Sequence, residues 1–133
     1  MTALRKSSHT LLLLALAMPA ALAACSRTDA ASEQATDPKL GGKVDGARAK
    51  QLVAEGAVLL DVRSPSEYAG GHAPGAVNIP VDELADRKAE LPAGKPIVTY
   101  CSAGVRSARA AGMLRSDGRT VHDLGVLSAY PKD

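Results

Sequence analysis

Short, continuous apolar runs separated by helix and turn signals constrain this chain more than any other feature. Ala57-Val58-Leu59-Leu60, Ala76-Val77-Asn78-Ile79 and Pro96-Ile97-Val98-Thr99-Tyr100 are each only four or five residues long, and Thr120-Val121 opens a fourth. Runs that do not alternate with polar residues suit strands covered on both faces, as in parallel sheets. Helical segments fall between them. Asp45 can cap a helix through Glu55, ended by Gly56. Ser64-Pro65-Ser66-Glu67 reads as a capping box with proline at the first helical position, opening two turns before Gly70-Gly71. The spacing predicts a charged, surface-facing helix over 82–90. It predicts another over about 105–115, with apolar positions 105, 108, 111 and 114, closed by Gly118. Strands alternating with helices give an α/β fold: a small, mostly parallel sheet with helices on both faces. With no Phe, no Trp and three Tyr, its core must be Ala, Val, Leu and Ile. A domain over 43–133 built this way is expected to be marginally stable.

The first residues serve another purpose. Arg5 and Lys6 precede the apolar run Leu11-Leu12-Leu13-Leu14-Ala15-Leu16-Ala17, and small residues lead up to Cys25. This is the pattern of an export signal, and the stretch, broken by Pro19, is shorter than the ~20 apolar residues a membrane span needs. Leu22-Ala23-Ala24-Cys25 resembles a bacterial lipobox. That resemblance implies a signal peptide over 1–24 and lipidation of Cys25, with the protein held at the cell envelope facing the periplasm. Ser26 after the cysteine resembles the pattern that favours the outer membrane. Each buried acyl methylene contributes about 0.8 kcal/mol, so two or three chains anchor almost permanently. Residues 25–42 lack apolar periodicity and read as a flexible tether reaching roughly 20–25 Å.

The 133-residue chain carries 16 basic and 14 acidic residues, and removing Arg5 and Lys6 leaves 14 against 14. A neutral body with no basic cluster argues against a nucleic-acid partner. Histidines stand only at 9, 72 and 122, with no metal-ligand spacing. If Cys25 is acylated, Cys101 is a lone thiol in a compartment that favours disulfides, a liability unless it is buried or used.

Position indicates use. Cys101 ends the clearest strand and is followed by Ser102-Ala103-Gly104-Val105-Arg106-Ser107 and a helix. Ligand sites in open α/β sheets form beyond the carboxyl ends of strands. A loop wrapped around the sulfur would aim N–H groups at it from a helix N-terminus, lowering the thiol pKa from about 8.5. Gly104 gives that loop backbone angles a side chain would penalise. The competing reading is a cysteine merely packed at a strand end, a common fate for this residue. Spacing then narrows the chemistry. Position 104 is Gly, so there is no Cys-x-x-Cys redox pair. Arg106 makes Cys-x4-Arg, one residue shorter than the phosphatase cradle, and the smaller loop suits an extra sulfur atom better than a phosphate.

The six residues Cys101 to Arg106 resemble the active-site loop of the rhodanese family. Leu60-Asp61-Val62-Arg63, Glu67-Tyr68, Gly71-His72 and Pro74-Gly75-Ala76-Val77-Asn78-Ile79-Pro80 are similar to that family's other signature. The match runs from about Val44 to Tyr130, and size, export signal and the Cys-x-Ala-Gly loop resemble small periplasmic, phage-shock-type members. The resemblance implies a sulfurtransferase without a cofactor. Thiolate Cys101 takes the outer sulfur of thiosulfate or a related donor, and the persulfide rests among amides from Ser102, Ala103, Gly104, Val105 and Arg106. A thiophilic acceptor, cyanide or another thiol, then removes the sulfur, so ping-pong kinetics follow. Arg106 would attract the anionic donor and help hold the loop, its alternative being a solvated helix residue. Asp61 and Arg63, at another strand's carboxyl end, are expected to support the loop as an ion pair. His72 is expected to be structural, in a Gly- and Pro-rich turn. Where members commonly carry a Gly-Gly turn and a final-helix Trp, this chain has Gly125-Val126 and Tyr130, so thin cover is expected on one face. Two rivals remain open: a rhodanese-like module that carries or senses sulfur without turnover, and a thiol sensor cycling through sulfenic acid.

Overall fold

The computed structural model describes residues 40–132. The expected signal peptide, the expected lipidation site Cys25 and most of the expected tether lie outside those residues. Four strands, β1 (Val58–Asp61), β2 (Val77–Asn78), β3 (Ile97–Cys101) and β4 (Val121–Val126), form one sheet in the order β2-β1-β3-β4. Every neighbouring pair is parallel. All five residues of β3 are buried, as a continuous apolar run in a central strand requires.

Side chains alternate across the sheet and divide the core in two. Leu59, Val98 and Tyr100 pack with Ala49 and Leu52 of α1 (Gly46–Ala54). Leu60, Ile97 and Cys101 face the opposite way, against Ala110, Ala111 and Leu114 of α4 (Val105–Ser116) and against Leu84. Burying side chains of Leu or Ile size contributes about 1.5–3 kcal/mol each. With no Phe or Trp, the largest fully buried side chain is Tyr100. The thin cover expected near Tyr130 is in part made good, because Leu127 and Tyr130 pack onto the α1-side cluster.

Local signals explain where the helices begin. Asp45 Oδ1 accepts the Arg48 N–H at 2.8 Å and opens α1. Ser64 and Glu67 form the expected reciprocal capping box at α2 (Pro65–Ala69), with Pro65 in the first turn.

Three segments depart from the sequence expectation. The 82–90 stretch is not one surface helix. It splits into α3 (Leu84–Arg87) and a 3-10 turn (Lys88–Glu90), and Leu84 is fully buried. Its outer side is held by Arg87, which pairs with Glu83 and Glu90. In α4 the buried positions are Ser107, Ala110, Ala111 and Leu114, not 105 and 108. Val105 is 76% exposed, because the helix turns its 107/110/111/114 stripe to the sheet and Ser107 gives its hydroxyl to backbone carbonyls. Finally, residues 40–42 join the domain instead of the tether. Leu40 and Gly42 carbonyls accept the Val121 and Asp123 N–H groups, at 2.8 and 2.9 Å, and Lys43 bridges Asp123 in parallel. Gly41 fits there because a Cβ would stand 2.3 Å from the Val121 carbonyl oxygen.

Candidate active site

The carboxyl ends of β3 and β4 build a cup between them. Pairing of these strands slips by one residue between Thr99 and Tyr100, which places Gly125 opposite Tyr100. Buried Asp123 accepts the Gly125 N–H at 2.9 Å, and Gly125 takes a left-handed φ of +86°. Its carbonyl then lies 3.2 Å from the Ser107 hydroxyl, which is also 3.0 Å from the Gly104 carbonyl. One hydroxyl proton serves these acceptors in turn. Gly104, at φ +88°, makes the left-handed turn from strand into helix and leaves the first turn of α4 with no side-chain cap. The uncapped N–H groups of that turn are available to the sulfur.

Cys101 Sγ accepts the Gly104 N–H at 3.0 Å. The residue is completely buried. Burial pushes its thiol pKa up, but the N–H groups of Ser107, Ala103 and Gly104, aided by the Ser107 hydroxyl, bring it below the ordinary value. The sulfur is therefore held as a hydrogen-bond acceptor, a condition that favours thiolate. Of the loop residues expected to surround it, Ala103 and Gly104 bear on the sulfur through their amides, and Ser107, outside the expected set, joins them. Ser102 and Val105 contribute differently: the Ser102 hydroxyl points to Glu67, and Val105 faces solvent.

Glu67 closes the rim of this cup. Its carboxylate accepts from both terminal guanidinium nitrogens of Arg106, at 2.7 and 2.8 Å, and from the Ser102 hydroxyl at 2.7 Å. It also caps its own helix through the Ser64 N–H at 3.0 Å. The Arg106 and Ser102 hydrogen bonds hold its pKa well below the usual carboxylate range. Arg106 Nη2 also lies 3.2 Å from the Ser102 hydroxyl, and its charge is answered by Glu67 and not left open to an anion. The two side chains are 37% and 34% exposed.

Asp61 and Arg63 form the other ion pair of this edge, as their spacing suggests. Arg63 Nε lies 3.0 Å from both Asp61 oxygens and Nη2 lies 2.6 Å from Oδ2. The support they give is directed elsewhere than the cysteine loop: Arg63 Nη2 donates to the Gly71 carbonyl at 2.7 Å and its guanidinium lies 5.7 Å from the centre of the Tyr100 ring. Tyr100 Oη in turn accepts the Ala73 N–H at 3.1 Å. The pair therefore braces the 71–73 wall, and Asn78 locks its backbone by donating to the Asp61 and Arg63 carbonyls. His72 stacks on Tyr68, ring centres 3.7 Å apart, and its Nδ1 donates to the Tyr68 carbonyl at 2.9 Å, which agrees with a structural role.

Between the 70–74 and 127–132 segments a cleft of about 970 Å³ opens, lined also by Arg63, Glu67 and Ser102. Glu67, Ser107 and Asp123 are the residues that sequence reasoning missed here. Glu67 shows in the sequence as a helix cap and as part of the second signature, and its link to the loop is hidden because its partners lie 35 and 39 residues away. Ser107 could have been found as the hydroxyl directly behind the Cys-x4-Arg loop.

Comparison with known proteins agrees with this geometry. Residues 45–128 match the family model described as a rhodanese-like domain. The uncharacterized protein YqhL of Bacillus subtilis is 52% identical over 64 residues, 48% of this chain and 51% of that protein. The chain thus spans about half the length of that relative. Thiosulfate sulfurtransferase GlpE of Pseudomonas entomophila is 38% identical over 78 residues, covering 57% of this chain and 70% of that one. Among solved structures, the human single-domain sulfurtransferase TSTD1 superposes with a TM-score of 0.52 at 37% identity, over 66% of this chain and 90% of that one.

Proposed function

The chain belongs to the rhodanese-like domain family, and from that premise we propose that it is a sulfurtransferase working through a persulfide on Cys101. The thiolate attacks the outer sulfur of thiosulfate or a related sulfane donor, and the donor's remaining fragment leaves with the electron pair of the broken S–S bond. Cyanide or a thiol then takes the sulfur and returns the thiolate. The observation that carries this reading is the sulfur's hydrogen bonding: Sγ accepts the Gly104 N–H at 3.0 Å and its pKa is depressed despite full burial. A cysteine serving only as packing gains nothing from N–H groups directed at it. Incubation with thiosulfate followed by intact mass analysis tests the reading. One added sulfur on the wild type, absent from Cys101→Ser and removed by cyanide, is the expected result.

A second reading rests on the complete burial of Cys101. A thiol with no solvent-exposed surface suits a module that carries or senses sulfur delivered by a partner. Multiple turnovers from thiosulfate to cyanide by the isolated protein would exclude it.

For location, Leu22-Ala23-Ala24-Cys25 supports a lipid anchor at the bacterial envelope, facing the periplasm. Cys25→Ser should release the protein from membranes, and continued membrane association of that variant would overturn the anchor.

A further inference from the structure

Charge at the mouth of the cup bears on which donor it takes. The loop's one cation, Arg106, is matched by Glu67 through two hydrogen bonds of 2.7 and 2.8 Å, and Glu67 is held further by Ser102 and Ser64. Arg63, the next cation along this edge, is matched by Asp61 at 2.6 Å. With both guanidiniums neutralised, the thiolate leaves the mouth with a net negative charge. Thiosulfate, a dianion, would approach it against like charge with no free cation in the 101–106 loop. The adjoining space points the same way. The cleft of about 970 Å³ bordering Glu67 and Ser102 is far larger than a sulfite leaving group requires. Of the two cations lining it, Arg63 is already paired with Asp61, and Lys132 belongs to the 127–132 wall and not to the loop, so it addresses an organic substituent and not the reacting sulfur.

We propose that Glu67 sets donor specificity, making the site selective for a neutral or singly charged organic persulfide, R–S–SH, over the thiosulfate dianion. The proposal rests on the sulfurtransferase reading above. Cys101 thiolate attacks the outer sulfur, a Cys101 S–S bond forms, and the donor's S–S bond breaks. The electron pair leaves on R–S⁻, the proton remains with the transferred sulfur, and no oxidant or reductant is consumed. The R group occupies the cleft beside Ser102.

Loading rates for cysteine persulfide and thiosulfate, measured on the wild type and on Glu67→Gln, test it. Glutamine retains the capping box, so the helix start survives the change. The wild type is expected to prefer cysteine persulfide in kcat/KM. Glu67→Gln, by freeing Arg106, should raise kcat/KM for thiosulfate about tenfold relative to the persulfide, the low end of what focused charge does to encounter rates. Adding Arg106→Gln to that variant should cancel the gain. Salt gives an independent sign: thiosulfate loading should quicken with ionic strength in the wild type and slow in Glu67→Gln. A wild type that prefers thiosulfate, or a Glu67→Gln variant that alters both donors equally, overturns the donor preference alone. Failure of both donors to load Cys101 removes the sulfurtransferase reading, and this proposal with it.

Discussion

Two ion pairs stand at neighbouring strand ends, and they differ in what surrounds them. Asp61 and Arg63, at the end of β1, are 0% and 8% exposed in their side chains, while Glu67 and Arg106, at the rim beyond β3, are about one-third exposed. A buried pair cannot be opened without leaving an uncompensated charge in a dry interior, whereas water and salt can replace either partner of an exposed one. The first is scaffold, locked to Gly71 and backed by Asn78. The second is adjustable, and it lies across the only loop that holds a nucleophilic sulfur among the described residues. Rigid charge supports the wall, and replaceable charge guards the chemistry.

This contrast can be broken at several points. The largest effect should come from Cys101→Ser, which is expected to abolish sulfur loading altogether while leaving the fold intact. Mass analysis and circular dichroism on one preparation check both halves. Asp61→Ala should cost about 3–5 kcal/mol, the range for removing one partner of a buried pair. Against a domain stability of about 5–15 kcal/mol, that leaves a visibly weakened fold in urea titration. If Asp61→Ala proves no more damaging than Glu67→Gln, the division into scaffold and rim is wrong. Gly104→Ala should cost about 1–2 kcal/mol from its left-handed backbone, because the nearest atom to a new Cβ, Gly125 Cα at 3.8 Å, is an ordinary contact. Loading should slow as the Gly104 N–H is displaced from the sulfur.

The smallest effect is one of pH. The folded thiol titrates below its unfolded value of about 8.5, so the thiolate's contribution to stability is complete above that value. It is lost as pH falls through the folded pKa. Wild type should therefore gain stability over Cys101→Ser as pH rises through that window, and its loading rate should hold to lower pH than that of a free thiol. A wild-type profile that follows glutathione would show that the cup does not stabilise the thiolate.

The elements that define the sheet were legible because each carries its own local signal. β3 is a continuous apolar run, the Ser64–Glu67 box announces α2, and the step from Cys101 through Gly104 into α4 follows from residue types alone. What escaped notice depends on partners distant in sequence. Glu67 signals a helix cap, and nothing nearby shows that the same carboxylate also grips Ser102 and Arg106. The phase of α4 was misjudged because Val105 is apolar and Ser107 polar, while the structure buries the serine to use its hydroxyl. Leu84 is the one large apolar residue of the charged 82–90 stretch, and only the packed sheet gives it a place. The direction of the Asp61–Arg63 support depended on where Gly71 folds back, which no spacing rule supplies.

The binding of Leu40 to Val121 has a mechanical consequence. Val121 pairs with Ile97, and Cys101 pairs with Val126, at the other end of the same two strands. Four residue steps along β3 separate those ends, about 13 Å at the rise of a strand. Whatever the chain carries ahead of Leu40 is therefore joined to the domain at the pole opposite its sulfur, so a pull through that junction loads the first rungs of the ladder before it reaches the peptide groups around the thiolate.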